Sequence, residues 1–435
     1  MSQNRPNILY IHSHDTGRYI QPFGRAVPTP NLQRLADQGV LFRRCCCAAP
    51  TCSPSRSAML TGQWAHCTGM LGLAHRGFSL NDYKRHILHT LRTVGYRSTL
   101  VGIQHIADDP SRIGYDEILP VAHADVAHVA PAAVEWLERK PAGPFFLSVG
   151  FFETHRPWDK LSASADSRYV LPPTPIPDTP QTRRDTAGFL ESARTLDAGI
   201  GRVLEALDKS GLADNTIVLC TTDHGIAFPR MKCNLTDHGT GVFLMLRGPG
   251  KLSGGKVCDA MVSHVDVMPT LCELVGVDRP DWAQGESMLP LLNGSADSIR
   301  DELFAEVTYH AAYEPQRCVR TPRWKYIRRF GDRRKPVLPN VDPSESKDLF
   351  LSAGWQDQDL PAEQLYDLVV DPTEECNLAE DTVHGGVLSE MRGRLDRWMR
   401  DTDDPLLAGP AAAPSGAKLN DPDGLSPDEP PRVVR

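Results

Sequence analysis

The stretch Thr51-Cys52-Ser53-Pro54-Ser55-Arg56 sets a thiol two residues before a proline and four before an arginine. Proline fixes its own φ and biases Ser53 toward extended backbone, so the spacing predicts a helix from Ser55 onward. Cys52 then lies beside a helix N-terminus and the guanidinium of Arg56, two features that favour an anion at that point. A buried free cysteine in a strand-to-helix turn is the plainer reading of the same residues. A second set of polar residues follows a pattern. His14-Asp15, His105, His155 and Asp223-His224 each stand at or just past the end of an apolar run, at 7–11, 98–103, 144–152 and 215–221. Singly, such residues cap turns. Gathered on the carboxyl edge of one open sheet, where ligands bind, they point to a site.

Positioning them requires a sheet. Helical spacing predicts helices over 87–94, 132–140, 187–210 and 265–275, and a further helix opens with Thr29 as cap and Pro30 first, closing near Gly39. Another strand is expected at 242–246. Strand and helix alternate, which predicts an α/β fold with a large, mostly parallel sheet covered on both faces. Beyond about residue 300 the character changes. Strands at 303–307 and 324–327 and a helix at 391–399 predict a smaller antiparallel-sheet domain, with the polar stretch 331–364 as a long loop. The expected division is 1–300, 301–402 and a proline-rich tail, 403–435. That tail is expected not to pack a core, and to be either disordered or an extended arm laid across a partner subunit in a homo-oligomer.

Composition narrows the function classes. Of 435 residues 40% are hydrophobic and 23% charged, with no apolar run long enough to span a bilayer, so no membrane partner is expected. A net charge of -8 without a basic stripe argues against nucleic acid. Met1-Ser2-Gln3-Asn4-Arg5-Pro6 leads straight into a strand-like run and leaves no room for a secretory signal, so a cytoplasmic location is expected. The eleven cysteines, including Cys45-Cys46-Cys47, lack zinc-finger spacing and read as reduced thiols or small buried apolar residues.

Cys52-Ser53-Pro54-Ser55-Arg56, followed by Leu60-Thr61-Gly62, resembles the signature of the type I, formylglycine-dependent sulfatases of the alkaline phosphatase superfamily. The likeness extends along the chain. Pro6-Asn7-Ile8-Leu9 is similar to the family's opening, Thr221-Thr222-Asp223-His224-Gly225 to its later metal motif, and Lys232-Cys233-Asn234-Leu235 to the segment bearing a basic sulfate ligand. Val319 to Ile327 and Leu365-Tyr366-Asp367-Leu368 resemble its C-terminal landmarks, an alkaline-phosphatase-like plan. The wording of Thr154-His155-Arg156 and Ile226-Ala227-Phe228-Pro229 is nearest the heparan N-sulfatase (sulfamidase) branch. Two departures stand out: His14-Asp15 replaces adjacent aspartates, and Gly102-Ile103-Gln104-His105 lacks the lysine of the family's Gly-Lys-x-His.

The resemblance implies a hydrolase for sulfuric esters or sulfamates on a sulfated sugar or small sulfate ester. It implies conversion of Cys52 to formylglycine by a formylglycine-generating enzyme, with the hydrate as nucleophile. His14, Asp15, Asp223 and His224 would hold one divalent metal ion. That ion is calcium by resemblance, while two imidazoles suit manganese or zinc. Arg56 would stabilise the nucleophile and the transferred group, Lys232 would contact sulfate, His105 would assist turnover of the nucleophile, and His155 would protonate the leaving atom. Arg156, Trp158 and His238 are unranked candidates for substrate contacts. Two alternatives stay open: a phosphonate monoester or phosphodiester hydrolase of the same superfamily, and a catalytically silent binding protein with the same fold.

Overall fold

Strand β1 (Asn7–Ser13) is buried along its whole length at the centre of an eight-stranded sheet. The sheet is completed by β2 (Val40–Cys46), β3 (Arg97–Gly102), β4 (Glu117–Leu119), β5 (Phe145–Gly150), β6 (Thr216–Thr222), β7 (Leu244–Arg247) and β8 (Lys256–Ser263), in the order β4-β3-β5-β1-β6-β7-β2-β8. This computed structural model describes residues 5–435; the opening Met1 to Asn4, part of the signal-peptide reading, lies outside the described residues. Pairing is parallel throughout except around β7, which runs antiparallel to both β6 and β2. The strands read as near-continuous apolar runs because both faces are covered. Ile8 and Tyr10 pack with Met59, Leu60, Ile87, Leu91, Met268 and Leu271 on one face. Leu9 and Ile11, pointing the other way, pack with Leu32, Val129, Ala133, Leu196 and Val203.

Several helices begin earlier than their apolar spacing indicates, and each has a capping reason. The helix Cys52–Thr61 starts at Cys52 rather than Ser55. Pro54 is its third residue, where the backbone N–H has no partner inside the helix, so the ring removes no bond. The helix Pro180–Ser210 starts at a reciprocal cap, with Thr179 accepting from Thr182 N and Thr182 from Thr179 N. In the helix Val126–Glu138 the Asp125 carboxylate accepts from His128 N at 3.1 Å.

Four antiparallel strands, β9 (Leu303–Tyr309), β10 (Tyr313–Arg320), β11 (Trp324–Arg329) and β12 (Glu363–Asp367), form the smaller sheet in the order β12-β11-β10-β9. The helix Gly385–Asp401 covers it, packing Met391, Leu395 and Trp398 on Phe304, Val319 and Tyr326. The stretch 331–364 is not one long loop: it contains the helix Glu345–Ser352, whose Lys347 N is capped by Ser344 Oγ at 3.1 Å. The reading of the tail as unable to pack is also corrected. Leu406, Ala411, Ala417 and Leu419 are buried, Ala411 O accepts from Tyr309 Oη at 2.7 Å, and a short pairing joins Lys418–Leu419 to Arg432–Val433. A few apolar side chains, spaced by prolines, find sockets on their own chain. Among the described residues no helix is long and apolar enough to cross a membrane, and all eleven cysteines are free.

His66 ties the first half of the chain to the smaller sheet through Glu306 Oε1, 2.9 Å from its Nδ1. Burial opposes the imidazolium, but Glu306 overrides it and the pKa is pushed up to about 10. A histidine raised in the folded state stabilises fully below its unfolded value near ~6.5. That stabilisation is lost as pH climbs toward about 10. The melting temperature should therefore fall across this window, and His66→Gln should flatten the fall when both proteins are melted at stepped pH.

Candidate active site

The carboxyl ends of β3, β5, β1 and β6 are neighbours in the sheet, so the loops leaving them meet. His14-Asp15 follows Ser13, His105 comes three residues after Gly102, His155 five after Gly150, and Asp223-His224 directly after Thr222. The turns are tight. Asp15 and His105 take left-handed backbone (φ 51° and 56°), a conformation that costs a non-glycine residue energy and persists where surrounding contacts hold it. Asp15 N donates to Asp223 Oδ1 at 2.8 Å, locking one loop to the other. Gly225 is required after His224, because a Cβ there would lie 1.9 Å from His238 O.

Cys52 and Arg56 enter this edge from the start of their helix. Arg56, 1% exposed, donates from Nη2 to Ser13 O at 2.7 Å and to Asp223 Oδ2 at 3.0 Å. Its Nη1 lies 2.6 Å from His12 Nδ1, which accepts; burial and Arg56 hold His12 well below its usual pKa, hence neutral. Ser55 Oγ donates to Asp223 O at 2.6 Å. Cys52 Sγ lies 3.3 Å from His224 Nε2. Burial pushes the thiol well above its usual value, against the pull of Lys232. As cysteine it is a protonated thiol at neutral pH, without the thiolate a nucleophilic cysteine needs.

His14, Asp15, Asp223 and His224 converge. His14 Nδ1 is 3.3 Å from Asp223 Oδ2, and His224 Nε2 is 3.3 Å from Asp15 Oδ1. His224 donates its Nδ1–H to Gly225 O at 2.9 Å, which fixes the ring with Nε2 facing the cluster. Both ring nitrogens of His14 and Asp15 Oδ1 are buried without a hydrogen-bond partner. Burial first, then Arg56, holds His14 well below its usual pKa, so it offers a lone pair. Burial works against the Asp223 carboxylate, but the charge of Arg56 and the N–H groups of Asp15 and His224 hold its pKa well below the usual range. Ligand atoms of His14, Asp15, Cys52 and Asp223 all fall within 4.8 Å of one another. Two imidazoles, two carboxylates and orphaned buried atoms between them fit a divalent cation, whose binding would satisfy polar groups otherwise costly to bury.

Around this cluster stand the remaining residues singled out in the sequence. Lys232 Nζ donates to Asp15 Oδ2 at 2.9 Å and lies 3.4 Å from His155 Nε2. His155 anchors itself by donating Nδ1–H to Arg156 O at 2.7 Å. His105 stacks on exposed His75, with Nε2 2.9 Å from His75 Nδ1 and its own Nδ1 unpartnered. Phe152, 37% exposed, leans on His155 with ring centroids 4.7 Å apart, and Phe152, His155 and His105 all pack against the ring of His14, with His75 outside them. A cavity of about 230 Å³ between the Arg230–Thr236 stretch and the smaller sheet reaches Lys232 but not Cys52.

Two candidate contacts are corrected. Arg156 makes a buried double hydrogen bond to Asp185, at 2.7 and 2.8 Å, and its guanidinium sits 3.9 Å from the ring centre of Trp158, which is 1% exposed. Both belong to the core. Asp185→Ala should cost about 3–5 kcal/mol by stranding a buried guanidinium, measured as the shift in urea unfolding. His238 turns its Nε2 to Thr373 O, 3.3 Å away. Four residues at or beside the site escaped the sequence reading: His12, His75, His310 and Asp342, whose Oδ2 is 3.0 Å from Lys232 Nζ. His12 alone carried a signal, as the last polar residue but one of a buried apolar strand.

The family comparison decides between the alternatives. Residues 6–277 match the sulfatase family model, and residues 231–360 match the model for the C-terminal part of N-sulphoglucosamine sulphohydrolase. The chain belongs to the sulfatase family. This sulfatase is 28% identical, over 91% of its length and 75% of the relative's, to an ulvan-active sulfatase of Formosa agariphila. It is 27% identical to human N-sulphoglucosamine sulphohydrolase over 93% of its own chain and 92% of the relative's. A solved structure bound to its substrate D-glucosamine-2-N,6-O-disulfate superposes with a TM-score of 0.70 at 18% identity, covering 92% of this chain and 98% of that one, and so shares the fold. The sulfatase is accordingly a sulfuric-ester hydrolase of sulfamidase-like kinship, in a family that generally uses formylglycine and a divalent metal. Neither the phosphonate alternative nor the silent binding protein is favoured by these relatives.

Proposed function

We propose that this sulfatase removes sulfate from a sulfated sugar, at an oxygen ester or a sulfamate nitrogen, using Cys52 in its formylglycine form. The observation that carries the reading is the meeting of Cys52, at a helix N-terminus, with Asp223, His224 and the orphaned atoms of His14 and Asp15. When bound, the metal supplies Lewis-acid stabilisation of anionic oxygens, and the formylglycine hydrate supplies a nucleophile that the protonated thiol lacks. Manganese or zinc suits the two imidazoles better than calcium does. Maturation then calls on a formylglycine-generating enzyme.

The chain's own residues do the rest. Arg56, fixed by Ser13 O and Asp223, holds positive charge beside residue 52 and stabilises charge that develops there. Lys232 receives the sulfate oxygens. His155, its Nδ1–H anchored on Arg156 O, turns Nε2 to the site and passes a proton to the leaving oxygen or nitrogen. His105, with Nδ1 free, takes up or returns a proton at residue 52. Ile103 in place of a lysine leaves Lys232 as the main cation for sulfate on this side of the pocket.

Dialysis against a strong chelator should remove activity on D-glucosamine-2-N,6-O-disulfate and lower the melting temperature, and manganese or zinc should restore both. A protein with confirmed conversion of Cys52 that keeps full activity after metal is shown to be gone would sink the reading.

A further inference from the structure

The segments beyond β9 reach the catalytic cluster at one corner. Asn340 clamps two of them together: its Oδ1 accepts from Ala312 N at 2.8 Å and its Nδ2 donates to Glu314 Oε2 at 3.0 Å. The clamp sets the turn carrying His310 beside the stretch carrying Asp342. His310 is 6% exposed and its Nδ1 has no hydrogen-bond partner. The Asp342 side chain is 14% exposed and pairs with Lys232 Nζ at 3.0 Å. Lys232 in turn lies 3.4 Å from His155 Nε2. If Lys232 takes the sulfate and His155 protonates the leaving atom, Asp342 and His310 stand beside the group that leaves.

A carboxylate is a poor neighbour for sulfate, because like charges repel and Asp342 already offsets the charge of Lys232. Its presence costs sulfate affinity unless it receives something from the rest of the substrate. An ionised carboxylate can only accept hydrogen bonds, and a buried imidazole nitrogen without a partner is an unmet polar group. Donors on the leaving group answer both needs. We propose that Asp342 and His310 form a leaving-group subsite, selecting a sugar that carries an N–H or O–H donor next to the sulfated atom. The proposal rests on the roles assigned above to Lys232 and His155. It makes the C-terminal segments the part of the chain that chooses the substrate, while the sheet edge supplies the chemistry.

The test compares kcat/KM on D-glucosamine-2-N,6-O-disulfate with that on 4-nitrophenyl sulfate, whose leaving group has no donor beside the sulfated oxygen. Wild type, Asp342→Ala, Asp342→Asn and His310→Ala are assayed after their melting curves show a folded protein. A hydrogen bond to a charged group corresponds to about tenfold to a hundredfold. The sugar-to-aryl ratio should fall by at least about tenfold in Asp342→Ala and less in His310→Ala. A fall of both substrates in step would overturn the proposal, since Asp342 would then act only by holding Lys232. Calorimetric binding of glucosamine to the Cys52→Ala protein reads the same subsite without chemistry. Affinity that weakens about tenfold on adding Asp342→Ala supports it, and the absence of any binding overturns it. If glucosamine binds through Asp342 while the converted wild type cleaves neither sulfate, the catalytic roles of Lys232 and His155 fail and the subsite survives.

Discussion

Cys52→Ala should abolish sulfate release, with a fall of roughly 10⁶ in kcat if residue 52 carries the nucleophile. The argument is one of location. Residue 52 opens a ten-residue helix, packs against His224 Nε2 and lies within reach of the orphaned atoms of His14 and Asp15. Nothing in the fold depends on the sulfur. Among the described residues its one hydrogen-bond contact is with His224, and Arg56, which organises the surrounding loops, bonds to Ser13 and Asp223 instead. The melting temperature should therefore move little, corresponding to about 1 kcal/mol or less for so small a truncation. Turnover on a sulfated sugar and a melting curve check the two halves together. A variant that keeps a tenth of wild-type activity would remove residue 52 from the mechanism. A variant that unfolds would show that the thiol had a structural role.

The same residues explain how far the sequence could be read. Strand-end positions of His14-Asp15, His105, His155 and Asp223-His224 were legible because parallel strands announce themselves as apolar runs, and residues after such runs share one edge. The likeness in wording supplied roles that spacing could not. Asp342 was invisible for a physical reason: it reaches Lys232 from a stretch more than a hundred residues later, read as loop, which the Asn340 clamp and Lys347 hold in place. Arg156 and Trp158 misled in the opposite sense. They lie next to His155 in sequence, but the turn after β5 drives them inward onto Asp185, and sequence adjacency carries no information about that direction. Helix starts slipped because caps such as Thr179 and Asp125 precede the first apolar repeat. The tail was misjudged on composition, which counts prolines but not where single leucines and alanines land.

Asp223→Ala should combine the losses that Cys52→Ala separates. The carboxylate accepts from Asp15 N and His224 N, pairs with Arg56 and faces His14 Nδ1. Truncation leaves Arg56, 1% exposed, with its carbonyl and histidine contacts but no counter-charge. Breaking a buried pair in this way costs about 3–5 kcal/mol, so the protein should melt markedly lower and also fail to retain metal. Asp223→Asn separates the terms, since an amide oxygen can still accept from the two backbone N–H groups while the charge is gone. It should recover part of the stability and none of the metal. The pH dependence has a fixed sign. The folded carboxyl is held well below its usual range, so it stabilises above the unfolded pKa and that stabilisation is lost as pH falls through the folded value. Metal-free wild type should thus lose stability below about pH 4 more steeply than Asp223→Ala. Equal acid slopes in the two proteins would mean that Arg56 does not hold this charge in the folded state, and the electrostatic account of the site would have to be rebuilt around Asp15.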